Sequence, residues 1–140
     1  MLILVTGDRH WTDVAAIGAA FDAVASSLPP DAPPSILHGG ARGADRIAGA
    51  VAAARGWHVD VVPARWDLYG RAAGPIRNGD MLLQRPDLVL AFHPDLRTSR
   101  GTADMVRKAR AAGVRVVVIT GAPEAAQERS RTGATPGDGV

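Results

Sequence analysis

Cysteine is absent from all 140 residues. That removes disulfides, thiolate metal ligands and cysteine nucleophiles together. Lysine is almost absent too: the basic set is fifteen arginines and Lys108, which fits a coding bias as well as any selection for polyanions. These arginines form no cluster or stripe, so a nucleic-acid footprint is disfavoured despite the net charge of +2. No apolar run approaches the roughly 18 residues of a membrane span, so a membrane partner is not expected. The opening "MLILVTGDRHW" has neither a basic leader nor a long apolar stretch, unlike a secretory signal. A soluble, cytoplasmic protein is expected. The four histidines, His10, His38, His58 and His93, lack i, i+4 spacing and a neighbouring carboxylate pair. No metal site and no cofactor are expected from them.

The chain is the length of one domain. Residues 2–6, "LILVT", are a continuous apolar run ending at Gly7, as in a strand buried on both faces. Thr12 or Asp13 can cap a helix whose apolar positions Val14, Ile17, Phe21, Val24 and Leu28 step by three and four, until "PPDAPP" stops it. "SILHGG", "WHVDVVP", "PDLVLAF" and "VRVVVIT" read as four further strands. Between them "ADRIAGAVAAARG", "GPIRNGDMLLQ" and residues 101–112 read as helices, while 64–74 read as irregular. Gly56 and Gly113 sit where helices end. Alternation of short apolar strands with helices predicts a Rossmann-like three-layer α/β sandwich on a five-stranded parallel sheet. The domain is expected over 1–121. Residues 122–140, rich in Gly, Pro, Ser and Thr, are expected to be a disordered tail.

In an open parallel sheet, ligands bind beyond the carboxyl ends of the strands. Four such ends carry the unusual residues: "TGDRHW", "HGGARGAD", "PARWDLYG" and "FHPDLRTSRGTAD". A glycine-rich turn entering a helix offers unpaired N–H groups and the positive end of a helix dipole to an anion. Taken alone, residues 38–48, "HGGARGADRIA", suit a plain structural turn equally well. A second turn, "TSRGTAD", with Ser99 and Thr102 as hydroxyl donors, tilts the reading towards phosphate. Neither turn is G-x-G-x-x-G after the first strand, nor a P-loop. Trp11, Trp66 and Tyr69 could stack on a base or cover the core, whereas Trp57 reads as core. Asp8, Asp45 and Asp67 are candidates for sugar hydroxyls or proton transfer, and Asp45 equally suits the first turn of its helix as a dipole partner.

The segments "LVTGDRHWTD", "HGGARGADRIA", "AGPIRNGDML", "PDLVLAF" and "SRGTADMVRKARAAGVRV" together resemble the SLOG superfamily, in its YspA-type (cpYpsA-related) branch, over residues 2–119. The resemblance implies a Rossmann-like fold and a nucleotide or nucleotide-derived ligand. It extends distantly to the lonely-guy-type phosphoribohydrolases and to the DNA-processing protein DprA. "RNGDM" is similar to the hydrolases' middle motif and aligns Arg77 with a catalytic arginine. "SRGT" is similar to their last turn, with Gly101 and Thr102 in register. The hydrolases' catalytic glutamate falls on Met105, with Asp104 one residue early and about 100° around the helix.

The expected ligand site therefore comprises Gly7, Asp8, Arg9, Trp11, Gly39, Gly40, Arg42, Gly43, Asp45, Trp66, Arg77, Asn78, Ser99, Gly101 and Thr102. Phosphate is expected against the backbone N–H groups of Gly39–Ala44 and Gly101–Thr102, with Arg77 pairing with an anionic or ribose oxygen. The expected role is a sensor or sequestering protein for a small nucleotide-derived partner. The alternative is hydrolysis of an N-glycosidic or phosphate-ester bond, with Arg77, Asp8, Asp45 and Asp104 as catalytic candidates. Single-stranded nucleic-acid binding is the weaker alternative, and a homodimer is left open by the resemblance.

Overall fold

A computed structural model of the chain describes residues 1–121. The expected tail, 122–140, lies outside the described residues. The elements run β1 (Leu2–Gly7), α1 (Val14–Ala25), β2 (Ser35–His38), α2 (Ala44–Ala54), β3 (Val59–Val61), α3 (Trp66–Tyr69), α4 (Ala73–Leu82), β4 (Leu88–Phe92), α5 (Gly101–Ala111) and β5 (Arg115–Ile119). All strand pairings are parallel and the order is β3-β2-β1-β4-β5. This is the expected Rossmann-like α/β sandwich. Chain progression reverses between β1 and β4, so a crevice forms at their carboxyl ends.

Both faces of the sheet are covered, which is why β1 reads as an unbroken apolar run. Ile3 and Val5 point into one core with Ile17 and Phe21 of α1 and Ala48 and Ala52 of α2. Leu4, between them in sequence, points into the other with Met81 of α4 and Met105 and Ala109 of α5. The period of two along the strand thus feeds two cores. Asp13 caps α1 by accepting from the Ala16 N–H at 3.0 Å. Gly56 and Gly113 end α2 and α5 with φ near +77°, a conformation that L side chains resist.

Residues 64–74 differ from expectation. They hold α3 and a 3₁₀ turn (Gly70–Ala72) that runs directly into α4. Gly70 has φ of 54° and separates the two, and its neighbours lack the apolar periodicity that would have marked a helix. Trp57 precedes β3, which starts at Val59, and its ring packs on Phe21 at 5.3 Å between centroids.

Candidate functional site

At the β1/β4 switch lies a cleft of about 610 Å³. Its walls are Thr6–Arg9 after β1, Ala41 and Asp45 after β2, Trp66, Gly74, Arg77 and Asn78 from α3 and α4, His93 after β4, and Thr98–Thr102 leading into α5. Close backbone approach makes this convergence possible. A Cβ on Gly7 would lie 2.5 Å from both the Phe92 carbonyl oxygen and the Ala44 Cβ.

The glycine turn after β2 is not the open anion cradle the sequence suggests. The N–H groups of Arg42 and Gly43 donate to nothing within the described residues but lie outside the cleft walls, and the other four are spent internally. Those of Gly39 and Ala41 donate to Asp45 Oδ2 at 3.1 and 3.3 Å. That of Gly40 donates to His38 Nδ1 at 2.9 Å, and that of Ala44 to the Asp8 carbonyl oxygen at 3.1 Å. The helix's own first-turn carboxylate has taken the place of an external anion. Gly40 and Gly43 supply the positive φ this path requires, 76° and 75°.

Asp45 is 5% exposed. Burial pushes its carboxyl up to about 6, against the opposing pull of the Ala41 N–H, the Arg77 charge and the Gly39 N–H. Its Oδ2 holds the turn, while Oδ1 accepts no hydrogen bond from the described residues. No fully buried side-chain atom there lacks a partner, so Oδ1 keeps some accessible surface on a residue that lines the cleft. Asp8 lines the same wall, with Oδ1 accepting from the His10 N–H at 2.9 Å.

Arg77 reaches in from α4. Its Nη1 donates to the Gly39 carbonyl oxygen at 2.9 Å and its Nε to Asn78 Oδ1 at 3.1 Å. Burial lowers its pKa and the Asp45 charge raises it, but a guanidinium stays charged. Burial and then the Arg77 charge hold His38 below the usual imidazole range, so its Nδ1 is free to accept. His93 is also arranged as an acceptor at Nδ1, from the Asp95 N–H at 3.0 Å. In the neutral ring that leaves Nε2–H as the free donor.

Opposite, Ser99 Oγ accepts from the Thr102 and Ala103 N–H groups at 3.0 and 3.3 Å and so caps α5. The Thr102 N–H, expected to hold phosphate, is therefore already used. Ser99 keeps its own O–H to donate, and the N–H groups of Arg100 and Gly101 donate to nothing within the described residues. This end of the cleft, with the dipole of α5 behind it and Arg100 beside it, is the one suited to an anion.

Six of the expected site residues do not line the cleft. Trp11 is 6% exposed, packs on Phe92 at 5.7 Å between centroids, and gives its indole N–H to the Asp13 carbonyl oxygen at 2.9 Å. It is core and cannot stack on a ligand. Asp104 is turned to α4 and away from the cleft: Oδ2 accepts from Asn78 Nδ2 at 3.0 Å and Lys108 Nζ at 2.9 Å, and Oδ1 pairs with Arg107. Burial alone would raise its pKa, but the hydrogen bonds of Lys108 and Asn78 and the charges of Lys108 and Arg107 hold it below the usual carboxylate range. Arg42 is exposed and outside the cleft walls, and Gly39, Gly40 and Gly43 support the site from behind. Trp66, 60% exposed, does line the cleft, as do Gly7, Asp8, Arg9, Asp45, Arg77, Asn78, Ser99, Gly101 and Thr102. His93 and Arg100 join them unforeseen. Both lie inside the strand-end segment that the sequence marks out, but nothing in their spacing separates them from its other polar residues.

Fold and cleft together define an open parallel α/β domain with its candidate site at the carboxyl edge of the sheet. The chain belongs to the YspA, cpYpsA-related SLOG family, whose model matches residues 1–69. It is similar to the Gene 61 protein of Mycobacterium phage D29, with 38% identity over 122 residues, 82% of this chain and 93% of the relative. No solved structure matches it. Among the described residues no helix is long and apolar enough to cross a membrane.

Proposed function

We propose that this protein binds a nucleotide or nucleotide-derived phosphate in the cleft, as a cytoplasmic sensor or sequestering protein. One observation carries the reading. The cleft at the β1/β4 switch joins two free N–H groups at the start of α5, the Ser99 hydroxyl and the Arg77 and Arg100 guanidiniums to an exposed aromatic, Trp66. Free N–H groups and guanidiniums suit a phosphate, and an indole face at the rim suits a base. Membership of the SLOG family supports a nucleotide-related ligand. Ligand-observed NMR with nucleoside mono-, di- and triphosphates, cyclic nucleotides and ADP-ribose tests the proposal. Binding by at least one, weakened in Arg77→Ala while the fold persists, is the expected result. No binding by any of them overturns it.

A second reading, hydrolysis of an N-glycosidic bond, is favoured by one feature: a buried carboxyl on the cleft wall with one oxygen unengaged, Asp45, raised to a pKa suited to acid–base work. The same samples, followed for hours, decide it. Free base and ribose phosphate would appear with the wild-type protein and not with Asp45→Asn.

A further inference from the structure

The two ends of the cleft differ in chemistry, and the difference identifies the ligand class. At the β2 end, the turn's N–H groups of Gly39, Gly40, Ala41 and Ala44 are all engaged. Those of Arg42 and Gly43 are not, but these residues lie outside the cleft walls, so a second anion in the cleft would find few backbone donors here. It would instead meet two carboxylates, Asp45 and Asp8. Arg77 stands between, but its charge already faces Asp45 and two of its nitrogens are engaged by Gly39 and Asn78. What this end offers is an acceptor: Asp45 Oδ1, on a side chain that is 5% exposed and fixed through its other oxygen. A carboxylate oxygen accepts only, so the matching ligand group is a donor such as a hydroxyl.

We infer that the β2 end of the cleft reads the ribose hydroxyls of a ribonucleoside phosphate through Asp45 Oδ1, and that the phosphate is held at the Ser99–Gly101 end, with Arg77 between the two. The inference rests on the nucleotide reading above. It reverses the role that a glycine-rich turn would ordinarily be given, because here the turn is closed by its own aspartate. Rigidity is what makes Asp45 discriminating. A carboxylate pinned by two N–H donors cannot turn to water when the ligand lacks a hydroxyl, so the mismatch is felt in full.

The test compares the four ribonucleoside 5′-monophosphates with their 2′,3′-dideoxy counterparts by ligand-observed NMR. Wild-type protein is expected to bind the ribo form more tightly by roughly tenfold or more, the size of one hydrogen bond to a charged group. In Asp45→Asn the gap between the two forms is expected to close. A second measurement needs no variant: the side-chain carboxyl carbon of Asp45 should shift with the ribo form and stay still with the dideoxy form. Equal wild-type affinity for both forms would overturn the hydroxyl assignment and leave phosphate binding standing. A gap that survives in Asp45→Asn, or a still carboxyl signal, would overturn the role of Asp45. Failure of both forms to bind would remove the nucleotide reading and this inference with it.

Discussion

Arg77 lies across the open face of Gly39, with Nη1 2.9 Å from the Gly39 carbonyl oxygen. Gly39 does not need positive φ; it needs to have no side chain, because a Cβ there would collide with the guanidinium. Gly39→Ala should therefore displace a flexible side-chain end and little else. We expect a stability loss below about 1 kcal/mol and a loss of phosphate-ligand affinity of roughly tenfold, matching Arg77→Ala. Urea unfolding and NMR titration measure the two. Undiminished affinity would show that Arg77 works from another position.

Gly43 and Gly56 form a matched pair. Both have φ near +75°, 75° and 77° respectively, but a Cβ on Gly43 would meet the Asp8 carbonyl oxygen and the Arg9 backbone, whereas one on Gly56 meets open space. Gly56→Ala should cost about 1 kcal/mol, the strain of the left-handed region alone. Gly43→Ala should cost at least about 2 kcal/mol more, since a backbone cannot rotate away. Equal losses in urea unfolding would mean that the β1 and β2 loops separate easily.

Asp45 sets a pH dependence whose sign follows from burial. Its carboxyl is raised from 3.8 to about 6 in the folded protein, in contact with a turn that carries His38 and facing Arg77 and Asp8 across the cleft. The folded state thus binds this proton more tightly than the unfolded state. Stability from this group is present below pH 3.8, declines as pH rises towards 6 and is gone above it. Asp45→Asn has no such proton. From pH 7.5 to 4.5, wild-type stability should gain on the variant by roughly 2 kcal/mol, read from urea unfolding at each pH. A difference that stays flat with pH would contradict the burial of this carboxyl.

Trp66 is 60% exposed in a four-residue helix at the mouth of the cleft, so its truncation removes little packing. Trp66→Ala should change stability by no more than about 0.5 kcal/mol. It should weaken nucleotides by about 1–3 kcal/mol while leaving inorganic phosphate binding unchanged. Quenching of its indole fluorescence by nucleotide, and not by phosphate, would report the same contact. Equal loss for both ligands would argue against stacking.

The fold was legible because a parallel sheet covered on both faces leaves its signature in the central strands: Leu2–Val5 and Leu88–Phe92 are apolar throughout, with glycine or polar residues at their ends. The strand ends were equally legible, since an active edge must concentrate glycine and polar groups. What could not be read was how those groups are satisfied. No spacing rule says that Asp45 bends back to close residues 39–41, or that Ser99 spends an acceptor on Thr102 and Ala103. Trp11 misled for a related reason: it belongs by sequence to a loop, and by packing to the core beside Phe92. Hydrogen-bond accounting needs coordinates, and here it shows donors of one turn engaged where the sequence suggests them free.

Met105 carries the last prediction. It stands where the lonely-guy-type hydrolases have a catalytic glutamate, and restoring that residue is the obvious attempt to recover their chemistry. In this chain Met105 is 0% exposed, packed with Leu4, Leu37, Met81, Val89 and Ala109 between the sheet and α4. A carboxylate there would leave water without a partner, since the nearby cations Arg107 and Lys108 are already committed to Asp104. Met105→Glu should lose at least about 3 kcal/mol of stability at pH 7.5, and less in acid, where the new carboxyl is neutral. It should gain no nucleotide hydrolysis, because the added group faces the core and not the cleft. Release of base from a nucleoside monophosphate by a stable Met105→Glu variant would instead mean that α5 turns to present this position to the ligand, and the assignment of Asp45 as the cleft's buried carboxylate would have to be shared.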